Sequence, residues 1–320
     1  MRVLHLGDIS GTSRNVIDVA RRKGLDWELR AVPAGRGAHP LAVAARRALD
    51  LAAVRLARPR PDILHINYGV SGYYGWGRRG TVLHLHGTDV RQDLHSRFLG
   101  PVVRRSILTA SAVLYSTPDM GDAVRALRPD AAWFPAPLPL AAIEPVPAGE
   151  HAGQRLFFAS RWDESKGAPE LIKLAARLRA THPEVVLEGL DWGHLAGAAR
   201  EAGVLLLPHM PESDYRRKLA EADVVVGQQR FGVLGLSELE AMAQGTPLVA
   251  AFSAQDAYGD EAPLHNSRTA DPLELVGRIL ADPAKAAATA ALGREWALAH
   301  HSPVVLEERL EELYAAVLQQ

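Results

Sequence analysis

Residues 232–247 read GVLGLSELEAMAQGTP, a helix opened by glycine, carrying a carboxylate near its middle and closed by Gly-x-Pro. Ahead of it, residues 222–227 (ADVVVG) form a short apolar, β-branched run, and residues 247–251 (PLVAA) form another. Such runs are strands buried on both faces, so the helix joins two neighbours of a parallel sheet. In sheets of that kind ligands sit at the carboxyl ends of the strands. Gly235 falls at the first turn, where unpaired amides and the positive end of the helix dipole favour a phosphate or a developing anion. Glu240 projects about one turn further on.

The segment resembles the signature of the retaining GT4 glycosyltransferases: a Glu, seven residues, a second Glu, then Ala-Met-Ala-x-Gly-x-Pro. Glu240, Ala241, Met242, Ala243, Gly245 and Pro247 match its second half, while Gly232 occupies the place of the first Glu. The resemblance implies that Glu240 holds the nucleotide ribose in an open cleft, and that Gly235, Leu236 and Gly232 border the donor. If the missing acid has simply been given up, Gly232→Ala should be tolerated better than Glu240→Ala; otherwise backbone geometry, such as a positive φ, is what the position needs.

Residues 157–178 (FFASRWDESKGAPELIKLAARL) carry a second resemblance. In GT4 enzymes an Arg after the first strand of the C-terminal domain and a Lys-Gly pair opening the next helix grip the donor diphosphate. Arg161, Lys166 and Gly167 match. Preorganised cations suit a leaving group whose negative charge grows as its bond breaks. Only five of the 36 basic residues are Lys, and one stands at this position.

The chain is long enough for two α/β domains, and 48% hydrophobic with 23% charged residues is a globular balance. With no Cys, disulfides, thiolate metal sites and a Cys nucleophile are excluded. No signal peptide and no apolar run of about 20 residues is legible, and a cytoplasmic protein is the expectation. Residues 1–150 carry 20 Lys and Arg against 13 Asp and Glu, and the remainder carries 16 against 24. An anionic acceptor or peripheral contact with an anionic membrane would account for the basic first half, and so would a solvated Arg-rich face. Nothing points to nucleic acid.

Strands predicted at 2–6, 27–32, 62–66, 82–85 and 112–115 alternate with helical stretches at 14–23 and 41–57, the pattern of a parallel sheet. Pro135, Pro137, Pro139, Pro145 and Pro147 mark a linker. The expected architecture is GT-B: two doubly wound Rossmann-like domains, residues 1–140 for the acceptor and 151–302 for the nucleotide sugar, facing a central cleft. A helix at 303–320 is expected to pack back on the first domain.

Within the first domain, Gly11 is the candidate for close approach to donor phosphate, with an ordinary helix-capping turn as the alternative. The segment 84–91 (HLHGTDVR) looks like the family's His-Gly-x-Asp, placing His86 near acceptor and reacting sugar. Asp89 and Asn67 are acceptor-side candidates. His84 and His86 also share one side of a strand, a metal-ligand spacing, but no third ligand is signalled and no metal or other cofactor is expected. Trp162, Trp192 and Trp296 read as packing residues.

These resemblances imply transfer of a hexosyl group from a nucleoside diphosphate sugar to an acceptor hydroxyl with retention. A retaining glycosidase would need two carboxylates about 5 Å apart, and no such pair is evident. A GT-like protein that binds nucleotide or sugar without transferring it, and a nucleotide-sugar epimerase, are the alternatives.

Overall fold

A computed structural model describes residues 1–33, 39–145 and 155–320. Pro147 of the expected linker and the boundary at residue 151 lie outside them. Two compact units form: residues 1–137 with 303–320, and residues 138–302.

The first stretch of unit 1 runs β1 (Arg2–Leu6), α1 (Thr12–Arg22), β2 (Asp26–Arg30), α2 (Pro40–Leu56), β3 (Ile63–Asn67), β4 (Thr81–Leu85), α3 (Thr88–Arg91), α4 (Gly100–Thr109), β5 (Ala112–Tyr115), α5 (Gly121–Arg125) and β6 (Ala132–Trp133). All strand pairs are parallel, in the order β2-β1-β3-β4-β5-β6. The topology therefore switches direction between β1 and β3, whose carboxyl ends carry Gly7 and Asn67.

Unit 2 runs β7 (Arg155–Phe158), α6 (Ala168–Thr181), β8 (Val186–Leu190), α7 (Ala196–Glu201), β9 (Leu205–Leu207), α8 (Glu212–Glu221), β10 (Val224–Val226), α9 (Leu236–Gln244), β11 (Leu248–Ala250), α10 (Gln255–Tyr258), β12 (His265–Asn266), α11 (Pro272–Ala281) and α12 (Pro283–His301). Its parallel order, β9-β8-β7-β10-β11-β12, puts the switch between β7 and β10. Helix α13 (Pro303–Leu318) returns to unit 1, where Leu306, Leu310, Tyr314 and Val317 share a buried core with Val16, Ile17 and Trp27.

Proline-rich residues 135–145 are only partly a linker. Leu138 and Ile143 are buried in a core of unit 2, so the chain leaves unit 1 at Pro137. Trp192 departs from its expected role: Trp162 and Trp296 are core residues, but Trp192 is 47% exposed. Among the described residues no helix is long and apolar enough to cross a membrane.

Candidate functional site

In unit 2 the two segments singled out from sequence meet at the ends of adjacent strands. The chain leaves β7 through Ser160 and Arg161, then makes a 3-10 turn at Glu164–Lys166. Gly167 caps α6 at φ +80°, a left-handed conformation that glycine adopts without strain, and an added Cβ would lie 3.2 Å from Gln229 Cβ. The 227–235 loop leaves β10 beside it. Gln229 N–H donates to the Lys166 carbonyl at 3.2 Å, and Lys166 Nζ stands 5.7 Å from the Phe231 ring centroid. Among the described residues no carboxylate pairs with Lys166. Arg230 Nη1 donates to the Glu164 carbonyl at 3.0 Å, and Arg268 Nη2 to the Arg230 carbonyl at 2.8 Å. Arg161 pairs with Asp163 and lies 5.2 Å from the Trp192 ring centroid.

Asp163 and Glu164 also hold His194, whose Nδ1 and Nε2 lie 2.9 and 2.7 Å from their oxygens. The hydrogen bond to Glu164, then that to Asp163, raises the His194 pKa. Burial pushes the Asp163 carboxyl up, but His194 and Arg161 outweigh it and leave its pKa lowered.

Gly235 caps α9 from an extended backbone. Its amide is not open to a ligand: it donates to Glu238 Oε2 at 2.9 Å, while Gln228 N–H donates to Glu238 Oε1 at 2.8 Å. Glu238 thus satisfies the Gly235 and Gln228 amides from within the protein, leaving the backbone amides of Leu236, Ser237 and Glu238 in the first turn, where helices lack internal acceptors.

The expectation for Glu240 is corrected in its surroundings. The residue is 4% exposed, not set in open solvent, and its Oε1 accepts from Arg216 Nε at 3.0 Å. Burial raises its pKa, and the Arg216 charge opposes that shift. Gly232 has φ +68°, a left-handed conformation that favours glycine, and an added Cβ would lie 2.2 Å from Ser253 Oγ.

In unit 1, Gly11 caps α1 at φ +76°, and Asp8 Oδ1 accepts from the Ser13 and Arg14 amides at 3.0 and 3.3 Å. Asn67 sits at the switch point. Its Nδ2 donates to the Gly7 carbonyl at 3.0 Å and to Ser13 Oγ at 2.8 Å, while its Oδ1 is 2.9 Å from His86 Nε2. With this amide orientation Oδ1 only accepts, so His86 carries its proton on Nε2 and Nδ1 is a bare acceptor. Burial lowers the His86 pKa to about 3.

Asp89 is fully buried; its oxygens accept from the Gly69, His86 and Gly87 amides at 2.9–3.0 Å. It shapes the turn carrying His86. Beneath that edge, Tyr314 Oη lies 3.2 Å from His5 Nε2 and 2.6 Å from His65 Nδ1, while His65 Nε2 lies 3.3 Å from His84 Nδ1. His5 Nδ1 lies 2.9 Å from Ser13 Oγ, closing the chain to Asn67. Among the described residues, no group of three His, Cys, Asp or Glu could hold a metal ion.

Sequence reading missed Asp8, Tyr314, Arg216 and Glu238. Only Glu238 left a signal, three residues after the capping glycine. The partners of Tyr314 and Arg216 lie on distant segments.

Residues 9–133 match the family described as Glycosyl transferase 4-like domain. The glycogen synthase of Mycobacterium tuberculosis is 34% identical over 102 residues, which are 29% of this chain and 25% of that protein. The chain thus spans about a quarter of the length of the curated relatives it matches. The sucrose-phosphate synthase structure from Thermosynechococcus elongatus aligns with TM-score 0.74 at 17% identity, covering 100% of both chains. Anabaena HepE, solved with UDP and glucose, aligns with TM-score 0.69 at 16% identity, covering 98% of this chain and 99% of its own. With two doubly wound parallel-sheet units and these neighbours, the chain has the GT-B fold, and its N-terminal part resembles the GT4-like glycosyltransferases.

Proposed function

We propose that this chain is a retaining, hexosyltransferase-type glycosyltransferase of the GT4 kind, using a nucleoside diphosphate sugar and an acceptor hydroxyl. The carrying observation is the meeting of Lys166 with the 227–235 loop at the β7/β10 switch point, where doubly wound sheets bind ligands. The match of residues 9–133 and the UDP bound to HepE support the same reading.

In this proposal Lys166 and Arg161 stabilise the departing diphosphate, with the Leu236 amide at the positive end of α9 beside them. Glu240 Oε2 takes the ribose hydroxyls while Arg216 holds Oε1, and Gly232 and Gly235 shape the donor loop. Gly11 lets the first turn of unit 1 approach the donor phosphates. His86, neutral and fixed by Asn67, positions sugar or acceptor through Nδ1, and Asp89 holds its turn. The glycosidic bond to the diphosphate breaks first. The acceptor oxygen then bonds to the anomeric carbon on the same face, and its proton passes to the diphosphate oxygen. No protein nucleophile is required and no metal enters the scheme. The acceptor class is open to an anionic molecule because unit 1 is basic, and the protein works in the cytoplasm, with peripheral membrane contact compatible with the same charge.

Glu238 on the Gly235 amide favours a second reading, a protein that binds nucleotide or sugar without transferring it, since an internal carboxylate takes a place suited to phosphate. Incubation with nucleotide sugars and an acceptor panel separates the two. Transfer should release nucleoside diphosphate and give a product whose anomeric configuration, read by NMR coupling, equals that of the donor. An inverted product would overturn retention, and donor binding with no nucleotide release would favour the binding-only reading.

A further inference from the structure

Unit 1 holds a pocket of about 350 Å³ at the opposite edge of its sheet from Asn67 and His86, lined by Arg55, Arg60, Tyr74, Trp76, Arg78 and Arg79 among others. Arg55 ends α2, Arg60 precedes β3, and Arg78 and Arg79 precede β4. The pocket therefore lies at the amino ends of those strands, removed by the length of β3, roughly 13 Å, from the edge proposed for catalysis.

Four guanidinium groups gather there, and among the described residues none has a carboxylate within ion-pair distance. The nearest acids are otherwise engaged. Asp62 Oδ2 accepts from the Arg2 amide at 2.7 Å, and Asp50 accepts from Tyr74 Oη at 2.7 Å and pairs with Arg30. Like charges held together without counter-charge repel, and burial followed by the Arg60 charge lowers the Arg78 pKa, with Asp62 pulling the other way.

Two of the four are anchored through their own nitrogens. Arg55 Nη2 donates to the Trp76 carbonyl at 3.0 Å, and Arg78 Nη2 to the Pro61 carbonyl. Arg78 Nε is buried with no hydrogen-bond partner, a donor left without an acceptor. Trp76 is itself held, with the Arg105 guanidinium 4.2 Å from its ring centroid. A fork of guanidinium donors is the geometry that recognises phosphate oxygens, and preanchored side chains lose less freedom on binding.

We propose that this pocket is a second ligand site of unit 1, binding a phosphate-bearing molecule through Arg55, Arg60, Arg78 and Arg79, distinct from the donor site at Lys166. A soluble phosphate ester and the headgroup of an anionic lipid share that chemistry.

Calorimetric titration of the full chain with glycerol 3-phosphate and with pyrophosphate tests it, beside co-sedimentation with phosphatidylglycerol vesicles. The variant Arg60→Ala/Arg79→Ala changes two exposed side chains, so the fold should persist, as circular dichroism can verify. It should weaken binding at least tenfold, whereas Arg21→Ala/Arg22→Ala, an exposed pair elsewhere on unit 1 with the same charge change, should not. Lys166→Ala should remove only a separate pyrophosphate site, so failure of either site is seen independently. Arginine-dependent binding of glycerol 3-phosphate without vesicle binding identifies a soluble ester, and arginine-dependent vesicle binding identifies a headgroup. Equal weakening by both arginine pairs, no binding of either phosphate source, or binding wholly abolished by Lys166→Ala would overturn the proposal.

Discussion

The two units share a six-stranded parallel sheet and a switch point, yet fill them with opposite chemistry. In unit 2 the central strands are Leu156, Phe157 and Phe158 beside Val224, Val225 and Val226, all within 1% of full burial. Its basic groups Arg161, Lys166, Arg230 and Arg268 lie past the carboxyl ends of the strands, while Glu188 is a buried charge within β8. In unit 1 polarity runs through the sheet itself: His5 and His65 are register partners on β1 and β3, their rings stacked at 4.4 Å, and His84 follows on β4. Tyr314 makes this tolerable by supplying a hydroxyl to two of the rings, since a buried polar group without a partner is costly. A doubly wound sheet thus prescribes where a site lies but not its charge. Unit 2 suits an anion, while unit 1 presents a neutral, hydrogen-bonded edge.

Acid should break that contrast most strongly. Burial lowers the His5 and His86 pKa values to about 3 and drives His65 and His84 well below 6.5. The unfolded chain takes up these protons near pH 6.5, where the folded chain refuses them. Stability is therefore full above pH 6.5 and falls as pH drops from there towards 3, by about 5 kcal/mol per pH unit once the four unfolded-state sites are protonated. Hydrogen exchange of β1, β3 and β4 amides should accelerate far more between pH 7 and 5.5 than that of β7 and β10, after correction for intrinsic rates. Parallel changes in both sheets would remove the histidines as the cause.

Glu240→Ala should come next, at about 3 kcal/mol of unit 2 stability in denaturant titration, because Arg216 loses its buried partner. A change below 0.5 kcal/mol would mean that Glu212 compensates Arg216 alone. Lys166→Ala should lower turnover about a hundredfold with folding intact, a loss of leaving-group stabilisation worth about 2.7 kcal/mol. Unchanged turnover in a folded protein would remove the diphosphate clamp.

Gly232→Ala should destabilise the donor loop by about 2 kcal/mol through its positive φ and the Ser253 contact, seen as a lowered Tm. A neutral result would show that the loop relaxes freely. The smallest effect belongs to exposed His194, which should titrate above 6.5 by NMR. Its support is present below pH 6.5 and lost as pH rises through the elevated value. An ordinary titration would place its two carboxylate contacts outside solution behaviour.

The sequence by itself determined the alternation that makes both sheets parallel, because apolar β-branched runs spaced by helices bury on both faces. It also determined the helix ends marked by glycine and proline: α13 spans Pro303–Leu318 as its leucine spacing indicates, and α9 opens after Gly235. Lys166 and Glu240 could be singled out because short motifs keep their spacing on local elements. Only the tertiary structure decided what surrounds them. Arg216 reaches Glu240 from another helix, Glu238 occupies the amide of Gly235, Tyr314 reaches His5 across 309 positions, and four arginines from separate segments gather around one pocket. Those relations depend on strand order and on which way a side chain leaves its element, and no local pattern of residues encodes them.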